Sequence, residues 1–425
     1  MPPRAAPTRA EPISAAPPGA VRRRVVFINR YFYPDVSATS QMLSDLARRL
    51  AQHGVVVHVV CSRQRYDDPA AHLAANEVID AVHVHRVWTS RFGRDRLLGR
   101  AVDYASFYVS SAVRLLWLLR AGDVVVAKTD PPLISIVALA LARVRGCHLV
   151  NWLQDIFPEV AQHLGVNPLP RWMSRLLMQM RDRSLAMAHM NVVLGSRMRE
   201  HLEGRRIPGN RICIIENWAD EDSVAPKATH ASALRDGLGI GDCFVVAYSG
   251  NLGRAHEFET ILAAAEQIQG NDSVVFLMIG GGVKMDELRR ASEGKALRNF
   301  RFLPYQPRAT LADALAAGDV HLACLLPALE GLIVPSKFYG ILAAGRPVVF
   351  IGDTQGELAR VIDGAQCGAV VRLGNALGLV AVLNMLREQP QMRLAMGERA
   401  RALFLQRYSV TRATRQWLEL LHDMD

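Results

Sequence analysis

Cysteine is sparse, six in 425 residues at 61, 147, 213, 243, 324 and 367, with no CxxC pair. That scatter excludes a disulfide framework and a zinc cluster; most lie in apolar runs and read as small buried hydrophobes in a reducing cytoplasm. Long hydrophobic runs are missing too. The nearest approach to a membrane span, Leu133 to Ala142, is closed by Arg143 and Arg145, short of the roughly 18 apolar residues a span needs. The chain is expected to be soluble or to lie on a membrane. It has no GxGxxG fingerprint, which argues against a nicotinamide-dependent oxidoreductase. Asp67-Asp68 is isolated and makes no convincing metal site, so neither metal nor cofactor is expected. Stacked aromatic and basic motifs for RNA are lacking, so nucleic acid is not an expected partner. Residues 1–22 are rich in Pro, Ala and Arg without an apolar core; they read as a disordered basic tail, not a signal peptide.

What the chain does have is length, hydrophobicity and positive charge. At 425 residues, half of them hydrophobic, it has material for two cores. The formal net charge of +10, mostly arginine, calls for an anionic partner such as an acidic membrane or a phosphorylated ligand.

The stretch from Cys324 to Asp353 is the most informative. Two apolar runs, VHLACLL and PVVFIG, have the look of buried parallel strands. Between them lie Glu330, the triplet Pro335-Ser336-Lys337 and a small-residue helix over Lys337 to Ala344 that stops at Gly345. A lysine where a loop enters a helix suits a phosphate.

Strand, loop and helix alternate along the rest. VVFIN, a loop with Pro34 and Asp35, a helix from about Thr39 to His53 and a second strand form a βαβ unit; Ser37, Thr39 and Ser40 are its natural helix caps. The segments 91–120 and 170–190 mix arginines (91, 94, 96 and 100 in the first) with Leu97, Leu98, Phe107, Tyr108, Leu115, Leu116 and Trp117, or with Trp172. Each reads either as a helix docking on anionic lipid or as a core helix with a solvated basic end. After the strand HLVNW, Asp155 and Glu159 stand four apart, as acid/base or hydroxyl-binding groups, with Glu159 equally suited to a first helical turn. Near 244, YSGNLGRAHEF supplies Gly250, Asn251, Gly253, Arg254 and His256 in a second strand–loop–helix turn, where glycine permits close approach and arginine meets phosphate. The pattern predicts an α/β protein of two Rossmann-like parallel-sheet domains facing a cleft: 23–217, a linker at 218–235, 236–407, and a helix at 408–425 that returns to the first domain.

Taken together, YSGNLGRAHEFETILAA, FLMIGGGVKMDEL, FRFLPYQPRATL and LEGLIVPSKFYGILAAGRPVV resemble the family 4 retaining glycosyltransferases of the GT-B fold. The opening NRYFYPDVSATSQMLSDLARRLAQHG and the W-x-x-D-x-x-P-E segment from Trp152 to Glu159 are similar to the subgroup that builds colanic acid and O-antigen polysaccharides. The resemblance runs over about residues 24–420. It implies that Gly250 and Gly253, with Asn251 and His256 beside them, admit the donor diphosphate, while Arg254 and Lys337 neutralise it. Gly281, Gly282 and Tyr305 would lie by the nucleotide, Pro335 and Ser336 by the donor, and Glu330 against donor-sugar hydroxyls. Asp155 would stand near the reacting centre, with Tyr33, Asp35, Ser37, Thr39 and Glu159 on the acceptor side.

Two departures stand out. The second acid of the family's E-x7-E falls on Phe338, or on Gly340 when counted back from AAGRP, and the usual His before the loop aspartate is Gln154. The expected activity is metal-independent, retaining transfer from a nucleotide-sugar, UDP-linked, to an undecaprenyl-diphosphate saccharide, by a cytoplasmic protein peripheral on the inner face of the plasma membrane. The rivals are a GT-B sugar-nucleotide epimerase, which needs no lipid, and a non-catalytic membrane scaffold, which the missing second acid favours.

Overall fold

The computed structural model describes residues 23–424 except 36, 67, 69, 94–96, 167–169, 229–231 and 271–272. The basic tail, Asp67, Arg94, Arg96 and the side chains of Leu97 and Leu98, all singled out above, lie outside the described residues.

Runs of Val, Ile, Leu and Phe without alternation build strands buried on both faces, and such strands pair in parallel under helices. The first sheet takes β1 (Arg24–Ile28), β2 (Val56–Ser62), β3 (Asn76–Ile79), β4 (Val82–Val87), β5 (Val124–Lys128), β6 (His148–Trp152), β7 (Met190–Val193) and β8 (Ile212–Ile214) in the order β3-β4-β2-β1-β5-β6-β7-β8. Only the β3–β4 pair is antiparallel, and β3 shows the half-exposed alternation of an edge strand. The second sheet takes β9 (Phe244–Asn251), β10 (Val274–Gly281), β11 (Phe300–Leu303), β12 (Val320–Cys324), β13 (Val348–Gly352) and β14 (Gly368–Arg372) in the order β11-β10-β9-β12-β13-β14, all parallel.

The strand order reverses between β1 and β5 in one sheet and between β9 and β12 in the other. Ligands of open α/β sheets bind beyond the carboxyl ends of the strands at such switch points. The loops that leave those four strands carry Tyr33–Asp35, Thr129–Asp130, Gly250–Arg254 and Glu330–Lys337.

The chain crosses between the sheets twice, and the crossings lie side by side. The Ala219 amide donates to the Tyr408 carbonyl, and the Val410 amide to that of Ala219, both at 3.1 Å. Helix Val410–His422 then packs on helix Ala38–Gln52 of the first domain. Its Trp417 is buried 5.0 Å from the Trp152 ring and 6.2 Å from Phe27, edge to face, while Trp218 stacks on Trp152 at 5.7 Å. Aromatic pairs in these geometries add to the burial of large apolar surfaces. The last helix therefore belongs energetically to the first core.

Contacts join the two sides of the cleft on both flanks. The Ile156 amide donates to the Leu332 carbonyl at 3.0 Å beside a bridge between Asp155 and Ile333. On the other flank Arg308 holds Asp45 at 3.1 Å.

Candidate active site

On the second domain the site is built from three glycine-bearing turns. Gly280 has φ +127°, and a Cβ there would stand 2.2 Å from the Gly250 carbonyl oxygen; one on Gly282, φ +113°, would stand 2.2 Å from Asn251 Oδ1. Only glycine lets the ends of β9 and β10 close on each other this tightly. Tyr305 lies over Gly281, its ring 3.1 Å from where a Cβ would be, and is otherwise exposed. Gly280 was not among the residues singled out from sequence, although IGGG marks the place.

Lys337 begins a seven-residue helix, Lys337–Ala343, one residue shorter than the pattern predicted. Its ammonium lies 4.7 Å from the Tyr248 ring centroid and 3.2 Å from His256 Nε2. His256 Nδ1 sits 2.6 Å from the Cys324 carbonyl oxygen, which can only accept. Nδ1 therefore carries the proton, and Nε2 accepts from Lys337. Burial, then the Lys337 charge, pushes the imidazole down to about 3, so it stays neutral. His256 is in this way a support for Lys337, and so is Tyr248, which sequence reading passed over. Burial pushes Lys337 itself down to about 8. Lys337 lies against the turn at Gly250, and Arg254 is exposed four residues further along that loop; among the described residues no carboxylate comes within ion-pair distance of either. Two cations without an anion, next to a close-packed glycine turn, suit a diphosphate.

Glu330 has a structural contact that the sequence did not show. Its Oε1 accepts from the Glu357 amide at 2.6 Å, at the start of helix Glu357–Ala365, and burial raises its pKa. Glu357 in turn accepts from the Ser196 hydroxyl and the Arg197 amide, each at 2.8 Å, at the start of helix Ser196–Gly204 in the first domain. One oxygen of Glu330 thus caps a helix that is itself tied across the domains. Neither position for the second acid faces a ligand: Phe338 is fully buried against Tyr339 and Tyr408, and Gly340 lies beneath Leu315. Pro335 is buried and Ser336 exposed without a side-chain cap bond.

The first domain faces this with a wall at the ends of β1, β5 and β6. Asp155, Lys128, Thr129 and Arg181 line a cavity of about 20 Å³, room for one water or one hydroxyl. Asp155 accepts no hydrogen bond from the described residues; burial and Asp130 push it up to about 6, against the pull of Lys128. Glu159 does not join it. Arg181 takes both its oxygens, at 2.5 and 3.0 Å, and although burial opposes ionisation, the His201 ring 3.8 Å away and the Arg181 hydrogen bonds bring it down to about 2. It serves a buried ion pair. Gln154 makes a reciprocal amide pair with Asn217 at 2.9 and 3.0 Å, so the missing histidine has become a structural tie.

The expected caps of helix Ala38–Gln52 are a correction as well. Ser37 precedes the helix but makes no side-chain cap bond; its amide, at 2.9 Å, and its hydroxyl both donate to Asp35. The Ser40 hydroxyl bonds the Asp35 carbonyl, and Thr39 contributes its own carbonyl, to Lys128. Tyr33 is exposed under the Arg48 guanidinium, 4.7 Å away. These residues shape one loop at the end of β1.

Family profiles match both halves: a glycosyl transferase 4-like domain over residues 37–218 and the glycosyl transferases group 1 domain over 233–403. The chain belongs to the group 1 glycosyltransferases. Its GT-B fold is shared with HepE of Anabaena, solved with UDP and glucose, at a TM-score of 0.71 and 16% identity over 94% of this chain and all of that one. It is 29% identical over 273 residues to a Pseudomonas aeruginosa protein named as glycosyltransferase WbjE, covering 64% of this chain and 68% of the relative. Against WcaI of Escherichia coli K12, named for colanic acid biosynthesis, the figures are 25%, 63% and 66%. Membership of a transferase family favours transfer over the epimerase and the inert scaffold weighed from sequence.

Proposed function

We propose that this glycosyltransferase moves a sugar, with retention, from a UDP-sugar to a lipid-linked saccharide in surface polysaccharide synthesis. The observation that carries the reading is Lys337 lying against the glycine turn at Gly250 with no carboxylate in ion-pair range among the described residues, and with Arg254 on the same loop. The donor's bond from C1 to the diphosphate oxygen breaks and its electron pair goes to that oxygen. The acceptor hydroxyl bonds C1 from the same face, and its proton passes to the departing phosphate. Charge builds on the diphosphate, where Lys337 and Arg254 are already in place to stabilise it. HepE holding UDP supports the base, and the name of WcaI, which mentions colanic acid biosynthesis, supports the pathway.

The acceptor half rests on the surface of the first domain. Helices Leu97–Leu118, Ile134–Arg145 and Arg171–Met187 pack together on one face of the sheet. The first buries Phe107 and Leu115 but exposes Val109, Val113, Leu116 and Trp117, the last at 84%. Trp172, Leu176 and Met180 are exposed on the third, where Arg171 and Arg175 flank them. Each helix therefore serves the core on one side and offers lipid the other. An apolar patch rimmed by arginine suits an anionic membrane. None of the described helices is long and apolar enough to cross one.

A thermal-shift panel of UDP-, GDP- and dTDP-sugars tests the donor, with stabilisation by the UDP series expected and lost in Lys337→Ala. Sedimentation with phosphatidylglycerol vesicles at low salt tests the surface. Protein that stays in solution there defeats the membrane part alone.

A further inference from the structure

Lys128 is a buried lysine that the reaction as described does not use. It closes β5 and is 1% exposed. Its ammonium donates to the Thr39 carbonyl at 2.6 Å and lies 4.1 Å from the Trp152 ring centroid. Among the described residues no carboxylate is within 4 Å of it, yet it lines the cavity that Asp155 enters. Replacing a buried charge by an apolar side chain is often neutral or stabilising, so a lysine kept here points to function.

We propose that Lys128 is a positioning residue that keeps Asp155 ionised, so that its carboxylate accepts the hydrogen bond of the acceptor hydroxyl in the cavity. This rests on the placement of Asp155 at the reacting centre. Every charged group packed around Asp155 fits the assignment. Asp130, in the loop after β5, opposes its ionisation and Lys128 favours it. Arg181, from helix Arg171–Met187, lines the cavity but is taken by Glu159 and Asp182. Asp45, from helix Ala38–Gln52, acts on Lys128 rather than on Asp155 and is held by Arg308. Among the described residues Lys128 is thus the cation left to act on Asp155. Burial brings it down to about 7, with Asp130, Asp155 and Asp45 acting the other way. Its Thr39 bond also fixes the start of the helix behind the Tyr33–Ser37 loop, so one side chain joins that loop to the carboxylate.

The test reads the titration of Asp155 directly, by carboxyl-carbon NMR of the full chain labelled with 13C-aspartate, with Asp155→Asn to assign the signal. The wild-type midpoint is expected near 6. Lys128→Met should move it about one pH unit or more to the alkaline side, and Asp130→Asn should move it to the acid side. Opposite shifts support the proposal, and the second variant decides it if the first does not fold. A midpoint that stays put in both overturns it and leaves Lys128 a structural tie to Thr39. Wild-type sugar transfer by Asp155→Asn would instead remove Asp155 from the reacting centre, whatever the NMR shows.

Discussion

Lys128 of the first domain is buried and Lys337 of the second is half-buried, and both lie on an aromatic face. Lys337 is 4.7 Å from the Tyr248 centroid and Lys128 is 4.1 Å from that of Trp152. Burial depresses both, to about 8 and about 7. They differ in company. Lys337 has a neutral histidine for a neighbour and no carboxylate in reach, so its charge is balanced only when a ligand brings an anion. Lys128 stands among Asp130, Asp155 and Asp45, so its charge is spent on the protein's own carboxylates. The proposed roles of the same side chain, a binding group at the glycine turn and a tuning group beside Asp155, thus differ by the surrounding charge.

The sharpest way to break that comparison is to remove each lysine in turn. Lys337→Met should lower kcat/KM for the donor by about 10²-fold, on the order of 3 kcal/mol, as loss of a donor to developing charge does. Lys128→Met, assayed at pH 8 where Asp155 is ionised without help, should cost less than about tenfold. Steady-state kinetics on both variants check this, and equal losses would erase the distinction between the walls. The charged form of Lys337 is the one that binds, so donor KM should rise as pH climbs through about 8. Arginine, which does not deprotonate in this range, should remove that rise in Lys337→Arg.

These contrasts show what sequence could and could not reveal. Both sheets were legible, because unbroken apolar runs such as VVFLMIG and PVVFIG have one use in an α/β protein. The proposed donor wall was visible as local strings, YSGNLGR and PSK, and folding brings Lys337 of the second against Gly250 of the first. The acceptor wall was not. Glu159 and Asp155 look alike four residues apart, and what separates them is Arg181, 22 residues beyond Glu159. Lys128 sits in DVVVAKTDPP as one polar residue at a strand end, and only folding brings Asp155 to it. Glu330 reads as a sugar contact until helix Glu357–Ala365 arrives to take one of its oxygens. Roles set by contacts distant in sequence stay hidden in it.

Glu330 gives a smaller and separable effect. Glu330→Gln keeps an oxygen for the Glu357 amide and should melt close to wild type, whereas Glu330→Ala removes the cap and should cost about 1 kcal/mol. If the other oxygen contacts donor hydroxyls, both variants lose transfer, and a Gln variant with full activity would reduce Glu330 to a cap. Thermal melts run beside donor kinetics separate the two roles, and the Gln variant also shows whether the donor wall needs a carboxylate at all.

The least effect expected concerns stability alone, and it turns on the two carboxylates of the acceptor wall. Asp155 is raised to about 6 in the folded state, so between its unfolded value near 4 and that point the folded chain holds more protons than the unfolded one. Its share of the stability must then fall as pH rises through that window. Glu159, brought down to about 2, works in the other direction. Its contribution is complete above its unfolded value of about 4.5 and is lost as pH falls towards 2. Asp155→Asn removes the first dependence and leaves the second. Buried His256, held down to about 3, makes both proteins gain stability over this range, so the difference is what reports Asp155: from about pH 4 to 6 the variant's melting temperature should rise by a few degrees more than the wild type's, while both drop together in stronger acid. Parallel curves across pH 4 to 6 would mean that Asp155 is not buried as the cavity places it, and the tuning role of Lys128 would lose its object.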